Sequence, residues 1–142
     1  MRSFTTAMHF VDTNVLIYSL GLSPNKEAKR VRACEILSEA EFCVSVQVLQ
    51  EFYTQATRPS RVDPLSHEAA TTFIDDLREY PIQGMTVAIL NAALATCHRY
   101  QISYWDAAII EAARALGCRT VFSEDMQHGQ DYGGVQVIDP FR

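Results

Sequence analysis

The sequence predicts an α/β domain: a central, mostly parallel sheet with helices on both faces. Three observations predict it. Short apolar runs of strand length alternate with longer stretches of helical periodicity. The 142 residues are enough for one domain with a single sizeable core. No internal repeat, low-complexity tract or linker divides them.

The elements follow in chain order. His9-Phe10-Val11 reads as a strand ending at Asp12, and Val15-Leu16-Ile17-Tyr18 as a helix-like segment after it. Pro24 to Ala40 reads as a helix with Val31, Cys34 and Leu37 on one side. Glu41 to Val44 is a second strand. Ser45 is a good N-cap, and Val46, Leu49, Phe52, Tyr53 and Ala56 form the apolar stripe of the helix it starts. Arg58-Pro59-Ser60 breaks that helix. Ser66 caps another through about Glu79, Pro81 and Gly84 break again, and Thr86 caps a helix through about Tyr100. Ser103 starts the next, which Gly117 closes as a C′ residue. Arg119 to Phe122 is a strand, Gly133-Gly134 a turn, and Val135 to Ile138 the last strand.

Composition narrows the function classes. The apolar fraction, 48%, is that of a globular protein. No apolar run reaches the ~18 residues that span a membrane. The four cysteines, Cys34, Cys43, Cys97 and Cys118, form no C-x-x-C pair and read as reduced, buried small hydrophobes of a cytoplasmic protein. The histidines offer no zinc spacing. A net charge of −5 argues against a DNA-coating protein, but not against a nuclease, whose metal-site acids count against the balance. Residues 1–8 read as a short lead before a domain spanning 9–140, and Met8 offers an alternative start.

Four carboxylates carry the chemistry. Asp12 interrupts the apolar run Phe10 to Ile17, Asp106 lies in Ser103-Tyr104-Trp105-Asp106-Ala107-Ala108-Ile109, and Asp125 closes Val121-Phe122-Ser123-Glu124-Asp125. An acid in buried-type sequence is unfavourable unless paired or metal-bound. Two carboxylates ~5 Å apart at an effective dielectric of ~20 repel by roughly 3 kcal/mol, so several converging acids need protons or cations. Each has a structural alternative. Asp12 can cap the following helix. Asp106, four residues before Ile110 and thus within the apolar stripe of its helix, can complete a capping box with Ser103, while Glu111 and Arg114 take the solvent side. Either Glu124 or Asp125 can be simply solvated. Glu51 falls opposite its helix's apolar stripe, where a solvated glutamate is the plain reading. Asp12 and Asp125 both end strands, the edge at which parallel α/β sheets bind ligands.

In their order and spacing, Val11-Asp12-Thr13-Asn14-Val15-Leu16-Ile17, Ser45 to Tyr53, Ser103 to Ile109 and Val121 to Met126 resemble the PIN domain, specifically the VapC-type toxins of prokaryotic toxin–antitoxin pairs. The resemblance covers about residues 9–140. It implies a single PIN-like nuclease domain: a Mg²⁺- or Mn²⁺-dependent endoribonuclease cleaving RNA phosphodiesters to a 5′-phosphate and a 3′-hydroxyl. Asp12, Glu51, Asp106 and Asp125 match the acidic quartet as catalytic metal ligands. The resemblance therefore promotes Glu51 above its periodicity. At the fourth position the family commonly shows Thr-x-Asp, where this chain has Ser123-Glu124-Asp125, so Glu124 competes with Asp125. Hard oxygen ligands suit Mg²⁺ or Mn²⁺. Thr13, Asn14, Ser45 and Ser123 are candidates to orient these acids. The resemblance also implies an antitoxin partner and a homodimer.

Lys29 and Arg30, in a basic run with Lys26 and Arg32, and Arg58 and Arg61 beyond the Glu51 helix are candidates to hold RNA phosphates; solvated helix faces explain them equally well. His128 reads as a surface histidine. Three rivals differ in their residues. A receiver-type domain would show adjacent acids after the first strand and a late lysine, but Thr13 and Asn14 follow Asp12 and no lysine follows Lys29. A haloacid-dehalogenase-like phosphatase would show Asp-x-Asp. A non-catalytic RNA- or protein-binding domain on the same fold would not need the full acid set.

Overall fold

The computed structural model describes residues 8–39 and 41–142. Most of the expected lead, residues 1–7, and the expected helix end at Ala40 lie outside them. Met8 is half-buried against the core.

Five strands form one parallel sheet in the order β3-β2-β1-β4-β5. They are β1 His9–Val11, β2 Phe42–Ser45, β3 Ile82–Gln83, β4 Thr120–Phe122 and β5 Gln136–Ile138. Among the described residues there are six α-helices: α1 Thr13–Ser19, α2 Glu27–Glu39, α3 Val46–Ala56, α4 His67–Asp76, α5 Val87–Tyr100 and α6 Tyr104–Ala115. A 3₁₀ turn, Leu77–Glu79, extends α4. The expected α/β class and parallel sheet are those observed.

The order of strands fixes which helices share a face. The chain steps from β1 to β2 to β3 through α1–α4, then crosses back through α5 and α6 to β4 on the other side of β1. Parallel connections are right-handed, so opposite directions of travel put the two helix groups on opposite faces. The direction reverses between β1 and β4, and that reversal opens a crevice beyond their carboxyl ends.

Caps set the helix starts. The side chains of Ser45, Ser66, Thr86 and Ser103 each accept from the backbone amide three residues on. Phe10, Val11, Val44, Val121 and Val137 of the strands are fully buried with Leu16, Phe52 and Ile110. Strands β1 and β2 are buried at successive positions, not alternate ones, because both sheet faces are covered.

Four expectations need correction. Strand β3 occupies the segment that Pro81 and Gly84 mark as a break; two residues are too few for a periodic signal. In α2 the buried residues are Ala33 and Ile36, while Val31 is exposed, because the helix packs against α1 by an edge adjacent to the expected stripe. Cys43 and Cys118 are buried, but Cys34 and Cys97 are only half-buried. Glu111 lies inside, not on the solvent side: Thr96 of α5 donates to it at 2.8 Å, and Arg114 donates to it at 3.0 Å. Among the described residues no helix is long and apolar enough to cross a membrane.

Candidate active site

Each of the four acids is placed by a different stretch of backbone. Asp12 extends β1 by one residue, its amide donating to the Phe122 carbonyl of β4. Its side chain then caps α1, Oδ1 accepting from the Thr13 amide at 2.7 Å. Oδ2 accepts from the Ser123 hydroxyl at 2.8 Å. The capping and the converging readings of Asp12 therefore hold together.

Glu51 lies one and a half turns into α3. Thr13 Oγ1 donates to its Oε2 at 3.0 Å, and Gln47 Nε2 to its Oε1 at 3.1 Å. The polar side of α3, read from periodicity as solvent-facing, faces the crevice instead. Asp106 sits in the first turn of α6, its amide donating to the capping Ser103 hydroxyl at 3.0 Å. Asp125 follows β4; its amide donates to Ser123 Oγ at 3.2 Å, and Asn14 Nδ2 donates to its Oδ2 at 3.1 Å.

Asp12, Glu51, Asp106 and Asp125 line one cleft of about 110 Å³. Glu124 turns away from it. Lys29 donates to Glu124 Oε2 at 2.6 Å, and the Tyr18 hydroxyl donates to Oε1. Burial alone would raise the Glu124 acid, but these two donors outweigh it and hold it below its ordinary value.

The other candidates divide. Thr13 hydrogen-bonds Asp12 and Glu51, Ser123 hydrogen-bonds Asp12 and the Asp125 amide, and Asn14 hydrogen-bonds Asp125. Ser45 reaches none of them through its hydroxyl; it caps the helix that carries Glu51. Of the basic residues, Lys29 is paired with Glu124 and Arg30 with Glu27, while Arg61 donates to the Gln55 and Leu22 carbonyls. Arg58 is exposed. The His128 Nδ1 accepts from the Asp139 amide, and His128 is not part of the cleft lining.

Gln47, Gln55 and Trp105 also line the cleft and were not singled out by sequence. A signal existed for two of them. Gln47, Glu51 and Gln55 recur at i, i+4 and i+8, a polar stripe on one face of α3.

The electrostatics follow from crowding and burial. Asp12 is almost fully buried, and its acid is pushed up to about 6. Burial dominates; the Ser123 and Thr13 hydrogen bonds oppose it, and the negative charges of Glu51 and Asp125 add to it. Asp106 is raised by burial too, with repulsion from Asp125 and Glu51 beyond that. Protons or cations relieve such a site.

The donor set fits a hard cation. Carboxylates, carboxamides and a hydroxyl face the cleft, with no thiol or imidazole in its lining. Asn14 Oδ1 and Gln47 Oε1 are buried oxygens with no hydrogen-bond donor. Among the described residues no three His, Cys, Asp or Glu side chains are gathered as a ready-made metal cage. The carboxylates and carboxamides of the lining suit a hard divalent cation that keeps part of its water shell.

The fold and the cleft define an α/β domain with an acidic site at the reversal of a parallel sheet. The PIN domain family model matches residues 9–130, and the chain belongs to that family. Solved structures share the fold at low identity. A toxin–antitoxin complex from Klebsiella pneumoniae is 19% identical over 95% of this chain and 98% of its own, with a TM-score of 0.66. VapC20 of Mycobacterium tuberculosis, a Sarcin-Ricin loop cleaving toxin, is 21% identical over 82% and 91%, with a TM-score of 0.63. DNA-bound VapBC from Salmonella typhimurium is 16% identical over 95% and 99%, also at 0.63. No curated protein matches the chain in sequence. The expected resemblance to VapC-type PIN domains is thus found in the fold.

Proposed function

We propose that this chain is a divalent-metal-dependent endoribonuclease, the toxin of a toxin–antitoxin pair. One observation carries the reading: Asp12, Glu51, Asp106 and Asp125, from four separate segments, line a single cleft at the sheet reversal. The fold it shares with VapC20, a Sarcin-Ricin loop cleaving toxin, supports an RNA substrate.

Asp12 and Asp106 are the central ligands for Mg²⁺ or Mn²⁺, with Glu51 and Asp125 binding or orienting beside them. The ion supplies charge neutralisation at the phosphate and acidifies a water. The chain's own residues do the rest. Ser123 and the Thr13 amide hold both oxygens of Asp12, Thr13 and Gln47 hold both oxygens of Glu51, and Asn14 holds Asp125. The acids are thereby kept in place for in-line attack on phosphorus, with no rotamer search at the moment of reaction. The antitoxin partner and the homodimer belong to the same proposal. An exposed apolar row on α5, Val87, Leu90 and Leu94, is a surface for the second copy.

The test is incubation of the purified, partner-free chain with total RNA and Mg²⁺ or Mn²⁺, beside Asp106→Asn and an EDTA control. Discrete fragments that vanish in both controls are expected. Cleavage that survives Asp106→Asn overturns the assignment. No cleavage and no metal binding by calorimetry points to the non-catalytic domain.

A further inference from the structure

Trp105 is the chain's single tryptophan, and 63% of it is exposed. A large aromatic left in water at a helix start calls for an explanation, since burying it elsewhere is strongly favourable. Its position supplies one. Trp105 lines the same cleft as the four acids and directly precedes Asp106.

The indole is held in place. Gln47 Nε2 donates to the Trp105 carbonyl at 3.2 Å while also donating to Glu51, so one carboxamide ties the Trp105 backbone to an acid. The Tyr104 ring meets the indole edge-on, with centroids 5.1 Å apart. Tyr104 in turn packs against the small apolar cluster of Ala93, Ala107 and Ala108. The ring is thus braced from behind and open in front.

Apart from Trp105 and Ile109 the cleft lining is polar: four carboxylates, three carboxamides and Thr13 make up the rest. A nucleotide whose phosphate meets these acids through cations finds in Trp105 the aromatic surface of the lining on which its base can stack. We infer that Trp105 is a stacking platform for an unpaired base next to the cleaved phosphate. This inference rests on the ribonuclease reading. A-form duplexes hide their base faces, whereas loops and single strands expose them for stacking on aromatic rings.

The test uses the lone tryptophan as its own reporter. The full chain carrying Asp106→Asn, to prevent cleavage, is titrated in Mg²⁺ with a mixed-sequence single-stranded oligoribonucleotide, and with the same strand annealed to its complement. The single strand is expected to quench the fluorescence and the duplex to leave it unchanged. By anisotropy with labelled RNA, Trp105→Ala is expected to weaken single-strand binding about tenfold or more, and Trp105→Phe to restore most of it. Single-strand binding that neither quenches Trp105 nor weakens in Trp105→Ala overturns the inference and leaves the ribonuclease reading intact. Absence of any RNA binding, with no cleavage by the unsubstituted chain, overturns both. A fluorescence shift that follows protein concentration without RNA, abolished with self-association by Trp105→Ala, makes the indole a protein contact and also overturns it.

Discussion

The Ser123 hydroxyl donates to Oδ2 of Asp12 at 2.8 Å while accepting from the Asp125 amide. One small side chain therefore joins the ends of β1 and β4 and orients two of the four acids. Ser123→Ala removes a bond that lowers the Asp12 acid and leaves Oδ2 unpaired. Outer hydrogen bonds of this kind are worth about 10–100-fold in metal affinity or activity. A loss in that range, by calorimetry with Mn²⁺, is expected, with Ser123→Thr retaining most of the affinity.

The Asp12 acid, pushed up to about 6 in the folded chain, stands above its value of 3.8 when unfolded. Between those values the folded chain holds a proton that the unfolded chain has released, so stability falls as pH rises through that window. The penalty is absent below about 4 and complete above about 6, where it amounts to about 3 kcal/mol. Thermal melts without metal should therefore show Asp12→Asn gaining on the unsubstituted chain from pH 4 to 7. Mn²⁺ should raise the midpoint of the unsubstituted chain at pH 7 more than at pH 5. A flat difference across this range contradicts the burial argument.

Adjacent acids should behave differently. Glu124 is occupied by Lys29 and Tyr18, whereas Asp125 faces the cleft. Asp125→Asn is expected to reduce RNA cleavage at least 100-fold, and Glu124→Gln less than about fivefold. Comparable losses would place Glu124 in the chemistry.

Glu111 bridges α5 and α6 through Thr96 and Arg114. Because Arg114 is 39% exposed, the charge term is partly screened, and the hydrogen bonds dominate. Glu111→Ala should destabilise by about 2 kcal/mol in urea unfolding, with cleavage per folded molecule unchanged.

On α5, Val87, Leu90 and Leu94 are 73%, 41% and 50% exposed along one row. If a second copy covers them, Leu94→Glu shifts the chain to monomer in sedimentation while leaving its melting midpoint nearly unchanged. An unaltered sedimentation coefficient excludes this face from self-association.

The fold was legible where patterns were long. Ser45, Ser66, Thr86 and Ser103 mark helix starts by their chemistry, and each caps as expected. Strand β3 was not legible, since two residues carry no period. Periodicity mistook the site face of α3 for a solvated face, because a polar cleft and water select the same residues. The resemblance, not the stripe, singled out Glu51. Trp105 and Gln47 escaped notice for a related reason: an exposed aromatic and a glutamine have no fixed chemical reading until their neighbours are known. Glu111 escaped because its partner Thr96 lies on another helix.

The reversal of the sheet between β1 and β4 has a consequence for timing. Asp12 emerges early in synthesis, yet its partner Ser123 and neighbour Asp125 come more than a hundred residues later. Strand β1 gains its β4 neighbour only after the chain has crossed back over the sheet. Until β4 docks beside β1, Asp12 lacks the Ser123 hydroxyl that orients it, and the cleft lacks Asp125. The site therefore depends on a contact between distant parts of the chain, and whatever loosens β4 from β1 takes the acids apart without touching any of them.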